Sequence, residues 1–270
     1  MTTLIFDCDG VLADTERHGH LPAFNQTFAE FGLPVQWSEK EYGIKLRIGG
    51  GKERMASLLT EDFLARAKLP HDKLLLAQEV AKWHRRKTQI YTERVAAGEL
   101  PARPGIRRLI DEGLAAGWQL AVASTSAREA VDAVLRVAAG REQAARFSGV
   151  FAGDIVPRKK PAPDIYRFAL AELGADVAQT VVIEDSENGL QAALAAGLRC
   201  VVTVNGYTEH EHFDEAALVL SDLGEPGAPL RVLGNRSRAR PEGQIHLQDL
   251  LACLPAGQAT RLGRSEARGG

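Results

Sequence analysis

The sequence lacks the features that would place it in a membrane, on nucleic acid or in an oxidising compartment. No uninterrupted apolar run approaches the roughly 20 residues needed to span a bilayer. The N-terminal apolar stretch is only Leu4-Ile5-Phe6 and runs straight into Asp7 and Asp9, with no basic region ahead of it, so no targeting segment is expected. Cysteine is scarce: Cys8, Cys200 and Cys253 are scattered, odd in number and form no CxxC pair, which excludes a disulfide framework and suits a reducing cytosol. An excess of either charge is missing too. A net charge of -2 over 270 residues sets up no global field for nucleic acid or a membrane surface. No internal repeat is visible. What remains is the expectation of a soluble, cytoplasmic, monomeric protein without nucleic-acid or membrane partners. Its 45% hydrophobic and 25% charged residues are ordinary for a globular chain long enough to bury a substantial core.

Short β-branched runs read as buried strands of a parallel sheet: Leu4-Ile5-Phe6, Leu120 to Ala123, Val181-Val182-Ile183 and Cys200 to Val204. Helical patterns separate them, at Ala127 to Val137 with Ser126 and Glu129 as a capping box, at Pro161 to Leu173 stopped by Gly174, and at Glu187 to Ala196 with Ser186 as N-cap. This alternation predicts a doubly wound α/β sheet. The stretch from Glu16 to Leu100 breaks it. Leu21, Phe24, Phe28 and Phe31 follow helical spacing, Ser38 and Glu41 form a capping box, and Leu58 to Leu64 and Leu74 to Trp83 stay helical. The expected division is therefore an α/β core at 1–15 and 101–222, an all-helical insertion at 16–100 and a C-terminal extension at 223–270. In the extension, Glu225 to Pro229 and Arg236 to Arg240 read as loop and Ile245 to Leu254 as a short helix. Gln258 to Gly270 read as a disordered tail whose arginines are solvated.

Chemistry concentrates at the ends of those strands. Asp7-Cys8-Asp9-Gly10 puts two carboxylates, i and i+2, where open α/β sheets bind ligands, and Gly10 permits a sharp turn after them. Burying two acids together is costly unless a cation or a shared proton compensates, although two solvated acids before a turn would read the same way. Ser124-Thr125-Ser126 offers three hydroxyls and backbone N–H groups at a helix start, suited to phosphate oxygens or to plain capping. Lys160, just before Pro161, could hold a positive point charge against a phosphate or stand as a surface lysine. Glu184 and Asp185 close the fourth strand, as ligands or as helix caps. The order decides between the alternatives: acid pair, hydroxyl cluster, lysine and second acid pair all fall at strand ends or helix starts of one sheet.

DCDGVLADTE, VASTS, KKPAPDIY and VIEDSENGLQAALAAG resemble, in that order, the four motifs of the haloacid dehalogenase-like phosphohydrolases, over roughly Thr2 to Asp222. The resemblance implies Asp7 as nucleophile, Asp9 as general acid/base, and Ser124, Thr125, Ser126 and Lys160 as phosphate binders. It also implies Mg²⁺ held by Asp7, the Asp9 main chain and Asp185, with Glu184 a further ligand directly or through water, and a helical cap over the core.

The cap is expected to carry the specificity. In Lys45 to Met55 the pair Gly51-Lys52 suggests a phosphate-binding P-loop, but Glu53 stands where Ser or Thr belongs and no strand precedes it. A Gly-rich turn with Lys52 and Arg54 could instead grip a second phosphate. With Glu16, His18 and His20 this segment is similar to the CbbY-type branch of the family, encoded with Calvin-cycle genes and acting on xylulose-1,5-bisphosphate, an inhibitor of Rubisco. That likeness implies a sugar phosphate as the small-molecule partner and Glu16, His20, Gly51, Lys52 and Arg54 as its cap-side contacts. β-Phosphoglucomutase and phosphoglycolate phosphatase are the enzymatic alternatives. The mutase's histidine spacing falls here on Gly19, between His18 and His20, and a monophosphate leaves Lys52 and Arg54 little to do. A non-catalytic phospho-ligand sensor would not need both Asp7 and Asp9. Glu209 to His212 read as an exposed polar loop, His71, His84 and His246 stand alone, and Cys8 is expected to pack.

Overall fold

The apolar runs become the middle of one sheet. In the computed structural model, which describes residues 1–255, the strands are β1 (Thr3–Phe6), β2 (Gln119–Ser124), β3 (Gly149–Ala152), β4 (Thr180–Glu184), β5 (Arg199–Thr203), β6 (Leu218–Leu220) and β7 (Val232–Asn235). They lie in the order β3-β2-β1-β4-β5-β6-β7, and every neighbouring pair is parallel except β6 with β7. Successive strand residues point to opposite faces, and the core divides accordingly. Leu4, Phe6, Val122 and Ile183 pack on one face, and Ile5, Ala121, Val182 and Val202 on the other. The sheet is thus doubly wound and mostly parallel. Three strands were not anticipated: β3, the three-residue β6 and the exposed antiparallel edge β7.

Between β1 and β2 the chain forms a π-helical turn (Glu16–His20), then α1 (Leu21–Glu30), α2 (Glu39–Lys45), α3 (Gly51–Ala56), α4 (Glu61–Ala67), α5 (Lys73–Ala96) and α6 (Ile106–Ala115). Phe24, Phe28, Trp37, Tyr42, Met55 and Trp83 make a third apolar cluster inside this run, separate from the two faces of the sheet. The Ser38–Glu41 capping box is present on α2, whereas α4 begins only at Glu61, capped by Thr60, so Leu58 lies in a turn rather than a continuous helix.

The remaining helices are α7 (Arg128–Ala139), α8 (Arg141–Ala144), α9 (Asp164–Leu173), α10 (Glu187–Ala195) and α11 (Leu247–Cys253). Ser186 caps α10 by accepting from the Gly189 N–H, and Gly174 ends α9 in the left-handed region. The capping box expected at Ser126 is absent: α7 starts two residues later without a side-chain cap, because the Ser126 hydroxyl is turned to Asp9. Among the described residues no helix is long and apolar enough to cross a membrane. The tail from Gln258 to Gly270 lies outside the described residues.

The segment after Leu223 belongs to the core more than its composition suggests. Ile245, Leu250, Cys253 and Leu254 join the apolar cluster on one sheet face, and Arg108 on α6 donates to the carbonyls of Leu223, Gly224 and Ile245. Ile245 is wholly buried. Ile245→Ala should therefore cost about 2–5 kcal/mol in denaturant unfolding, as for a large-to-small change in a central core. A loss near zero would show that this segment only rests on the surface.

Candidate active site

The sheet brings four of the sequence signals to one point. Asp7 follows β1 and continues its ladder, its N–H donating to the Ile183 carbonyl on β4. Ser124 ends β2, Glu184 ends β4, Asp185 follows it, and Lys160 reaches in from the loop before α9; all five side chains are buried. The Lys160 ammonium donates to Asp7 Oδ1 at 2.6 Å, Glu184 Oε1 at 2.6 Å and the Ala123 carbonyl at 2.9 Å. The Tyr166 hydroxyl also donates to Glu184. Carboxylate oxygens of Asp7, Glu184 and Asp185 all lie within 4.8 Å of one another. Gly10 makes this possible: it has φ 78°, and a Cβ there would sit 2.0 Å from Asp185 Oδ2.

Charge does not balance in this cluster. Burial raises the Asp7 carboxyl, with Lys160 working against it and Glu184 and Asp9 adding to it. Burial and the neighbouring Asp7 and Glu184 push Asp185 well above the usual carboxylate range. Three carboxylates thus crowd around one ammonium, which burial opposes but which Asp7 and Glu184 hold firmly charged. A buried, all-oxygen donor set with more carboxylates than counter-charges fits a hard divalent cation, which would take the place of the protons burial favours. Among the described residues it is the one group of ligating side chains so placed.

Asp9 stands apart from that trio. Its Oδ1 accepts from Thr15 at 2.7 Å and lies 2.7 Å from His20 Nε2, and its Oδ2 accepts from Ser126. Burial alone would raise Asp9, but the His20 ring beside it and the hydrogen bonds from His20, Ser126 and Thr15 hold it well below the usual carboxylate range. On the far side of the ring, Nδ1 lies 2.6 Å from the buried Lys87 Nζ. With that ammonium donating to Nδ1, the ring carries its proton on Nε2 and gives it to Asp9. Burial pulls the Lys87 ammonium down to about 7. The mutase's histidine spacing falls on Gly19, and His20 was expected as a cap-side substrate contact, but it does not line the cavity that holds Asp7 and Lys160. The π-helical turn, one residue wider than an α-helical one, carries His20 to Asp9 instead. The spacing argument against a mutase therefore loses its force. Lys87 was missed because it sits inside a long, mostly polar helix.

The helical insertion forms the opposite wall. Glu16, Leu46, Gly49, Gly50, Gly51 and Arg54 line the same cavity as Asp7, Asp9, Ser124, Thr125, Ser126 and Lys160. Glu16 is buried and accepts from the Tyr42 hydroxyl, while Arg54 lies 3.8 Å from Glu16 and donates to Tyr42 Oη at 3.1 Å and to the Ile48 carbonyl at 3.0 Å. Lys52, expected beside Arg54, is not in this wall. Its ammonium pairs with Asp154, which also holds Lys159 at 3.0 Å, and Lys159 reaches Glu53 at 3.0 Å. Glu209 and His210 are exposed as expected, but Glu211 turns inward, lines the cavity and accepts from the Glu187 N–H at 2.6 Å. Cys8 is buried in the core.

Comparisons with known proteins identify the family. The family model for haloacid dehalogenase-like hydrolases matches residues 1–197. The chain is 44% identical to a CBBY-like protein of Arabidopsis thaliana over 225 residues, 83% of this chain and 70% of that one. It is 43% identical to Protein CbbY of Cereibacter sphaeroides over 224 residues, 83% and 93% of the two chains. Among solved structures it resembles CbbY from Rhodobacter sphaeroides in complex with phosphate, with TM-score 0.73 and 41% identity over 82% of this chain and 95% of that one. A mutant of that CbbY in complex with xylulose-1,5-bisphosphate gives TM-score 0.71 and 42% identity at the same coverage.

A divalent cation should stabilise the fold through the acid trio. At about a hundred times its Kd it adds ~2.7 kcal/mol, a rise in Tm of roughly 5–10 °C over chelated protein for a chain of this size. Asp185→Ala should erase most of that rise. Identical melts of the wild-type protein with and without cation would show that the trio holds none.

Proposed function

The chain belongs to the haloacid dehalogenase-like hydrolase family and is a phosphatase, and from that premise we propose that it removes one phosphate of a sugar bisphosphate, xylulose-1,5-bisphosphate, through an aspartyl-phosphate on Asp7. One observation carries the bisphosphate reading. A single cavity is lined both by Asp7, Lys160 and Ser124 from the core and by Arg54 from the helical insertion. The CbbY relative solved with xylulose-1,5-bisphosphate supports the choice of sugar.

In this reading residues 1–15 and 101–222 form the catalytic core, 16–100 a cap that closes over it, and the segment from 223 an extension of the core. Mg²⁺ would be held by Asp7, Glu184 and Asp185, together with the Asp9 main chain. When bound it would supply charge neutralisation between the attacking carboxylate and the phosphate dianion. Asp7 attacks phosphorus, and the new Asp7 Oδ–P bond forms as the bond to the sugar oxygen breaks. Lys160 and the N–H and hydroxyl groups of Ser124, Thr125 and Ser126 stabilise charge on the equatorial oxygens. Asp9 gives the departing sugar oxygen its proton. Since its contacts hold Asp9 ionised, it must first receive that proton: His20 Nε2–H passes it on as the Lys87 ammonium gives a proton to Nδ1, so the ring stays neutral and Lys87 ends uncharged. In the second half Asp9 takes a proton from the attacking water, whose oxygen displaces Asp7 from phosphorus. At the other end Arg54, kept in place by Tyr42, Glu16 and the Ile48 carbonyl, meets the second phosphate.

Two measurements test this. Asp7→Asn should abolish phosphate release with the fold intact, because an amide oxygen is not a competent nucleophile; turnover near the wild-type rate would exclude the covalent route. Arg54→Ala should lower kcat/KM for the bisphosphate by roughly ten- to a hundred-fold or somewhat more, the ~1.5–3 kcal/mol of a hydrogen bond to a charged group. A small monophosphate should lose far less. Lys52→Ala should affect both substrates alike and modestly, since Lys52 lies outside the cavity. Equal losses on both substrates for Arg54→Ala would remove the second-phosphate role.

A further inference from the structure

Asn205 lies outside the four motifs, yet its side chain touches the acid trio. It stands just past β5, lines the cavity and donates Nδ2–H to Asp185 Oδ2 at 2.7 Å. Its Oδ1 accepts the Tyr207 N–H at 2.8 Å, so the amide cannot be reversed without placing two donors face to face. Its own N–H donates to Thr208 Oγ1 at 3.0 Å. The strand end that carries it is clamped from below. Arg103, in the segment returning from the helical insertion, donates to the carbonyls of Thr203 at 3.0 Å, Val204 at 2.6 Å and Ser221 at 2.8 Å. The same guanidinium reaches the Gly10 carbonyl, next to Asp9. One arginine thus fixes both the backbone beneath Asn205 and the loop that carries the first acid pair.

We propose that Asn205 is a positioning residue for Asp185. By occupying Oδ2 it stops the carboxylate from rotating and leaves Oδ1, which no donor reaches among the described residues, for a cation. Arg103 holds the strand end from which Asn205 works. The inference rests on the reading that the trio holds a divalent cation. It adds that the geometry of the trio is set from outside it: a carboxylate free to turn binds a cation more weakly, because its orientation must be fixed on binding.

The test compares wild-type protein with Asn205→Leu, which keeps the volume and loses the donor, and with Asn205→Ser, which is too short to reach Asp185. Mn²⁺ binding is followed directly by electron paramagnetic resonance of the free ion, melting is followed in chelator, and kinetics are run at limiting and at saturating cation. Both variants should bind Mn²⁺ about ten- to a hundred-fold more weakly than wild type, the usual consequence of losing a partner that orients a ligand. They should melt within a few degrees of wild type in chelator, with KM for substrate unchanged at saturating cation and kcat largely recovered there. Folded variants that bind Mn²⁺ as tightly as wild type would overturn the proposal. So would failure of both to fold, which would make Asn205 a residue of folding alone. A wild-type protein that binds no Mn²⁺ would instead remove the cation reading on which the proposal stands.

Discussion

The Lys160 ammonium stands between two buried carboxylates, Asp7 and Glu184, each 2.6 Å away, and the rest of the site is built around the charge it supplies. Buried acids at the ends of β1 and β4 repel one another in a medium that screens them poorly. Breaking such a pair by removing one partner costs about 3–5 kcal/mol. The lysine is fixed by a third contact to the Ala123 carbonyl and by the face of the Tyr166 ring, 5.0 Å from its Nζ. One ammonium nevertheless serves three carboxylates. That excess of carboxylates over counter-charge is what makes the cluster a fit for a hard divalent cation.

The helical insertion closes on that cluster through the same loop that carries Lys160. Gly50 has φ 96°, and a Cβ there would run into Glu53 and lie 2.6 Å from Lys159 Nζ, so the glycine turn lets the insertion rest directly on the neighbour of Lys160. Lys52 and Glu53 on one side meet Asp154 and Lys159 on the other in an alternating set of charges. These groups are partly exposed, so each pair is screened and contributes little alone. Their value lies in orientation: they join the insertion to the core at a place adjacent to Lys160, where a small displacement is felt by the ammonium.

Much of this was legible in the sequence, for identifiable reasons. The central strands β1, β2, β4 and β5 are buried on both faces and therefore appear as unbroken apolar runs, and the chemistry sits at the residues that end those runs. β6 has three residues and β7 faces solvent, so neither leaves a run long enough to read, and β3 opens on Gly149. Ser126 has the spacing of a capping residue, but spacing cannot reveal that a carboxylate from another strand competes for its hydroxyl. His20 was displaced from its expected register by a π-helical turn, which no local propensity announces. Lys87 and Asn205 reach the site only through tertiary contacts, with His20 and Asp185 respectively, and nothing in their own neighbourhoods distinguishes them from polar surface.

Lys52 and Arg54 show how far a pair of basic residues can be read from order alone. On an α-helix, residues two apart are turned by about 200°, so they face nearly opposite directions. A short helix laid along the mouth of a cavity can therefore send one of them inward and must send the other out. The structure assigns Arg54 inward, against Glu16 and Tyr42, and Lys52 outward, against Asp154. Arginine suits the inner position, since its planar fork can keep contacts with Tyr42 and the Ile48 carbonyl and still present N–H groups to an anion. Lysine suits the outer one, where a single flexible charge needs only a carboxylate within reach. The cavity wall and the attachment of the insertion to the core are thus carried on opposite faces of one turn of helix, and a change to either face can be made without rebuilding the other.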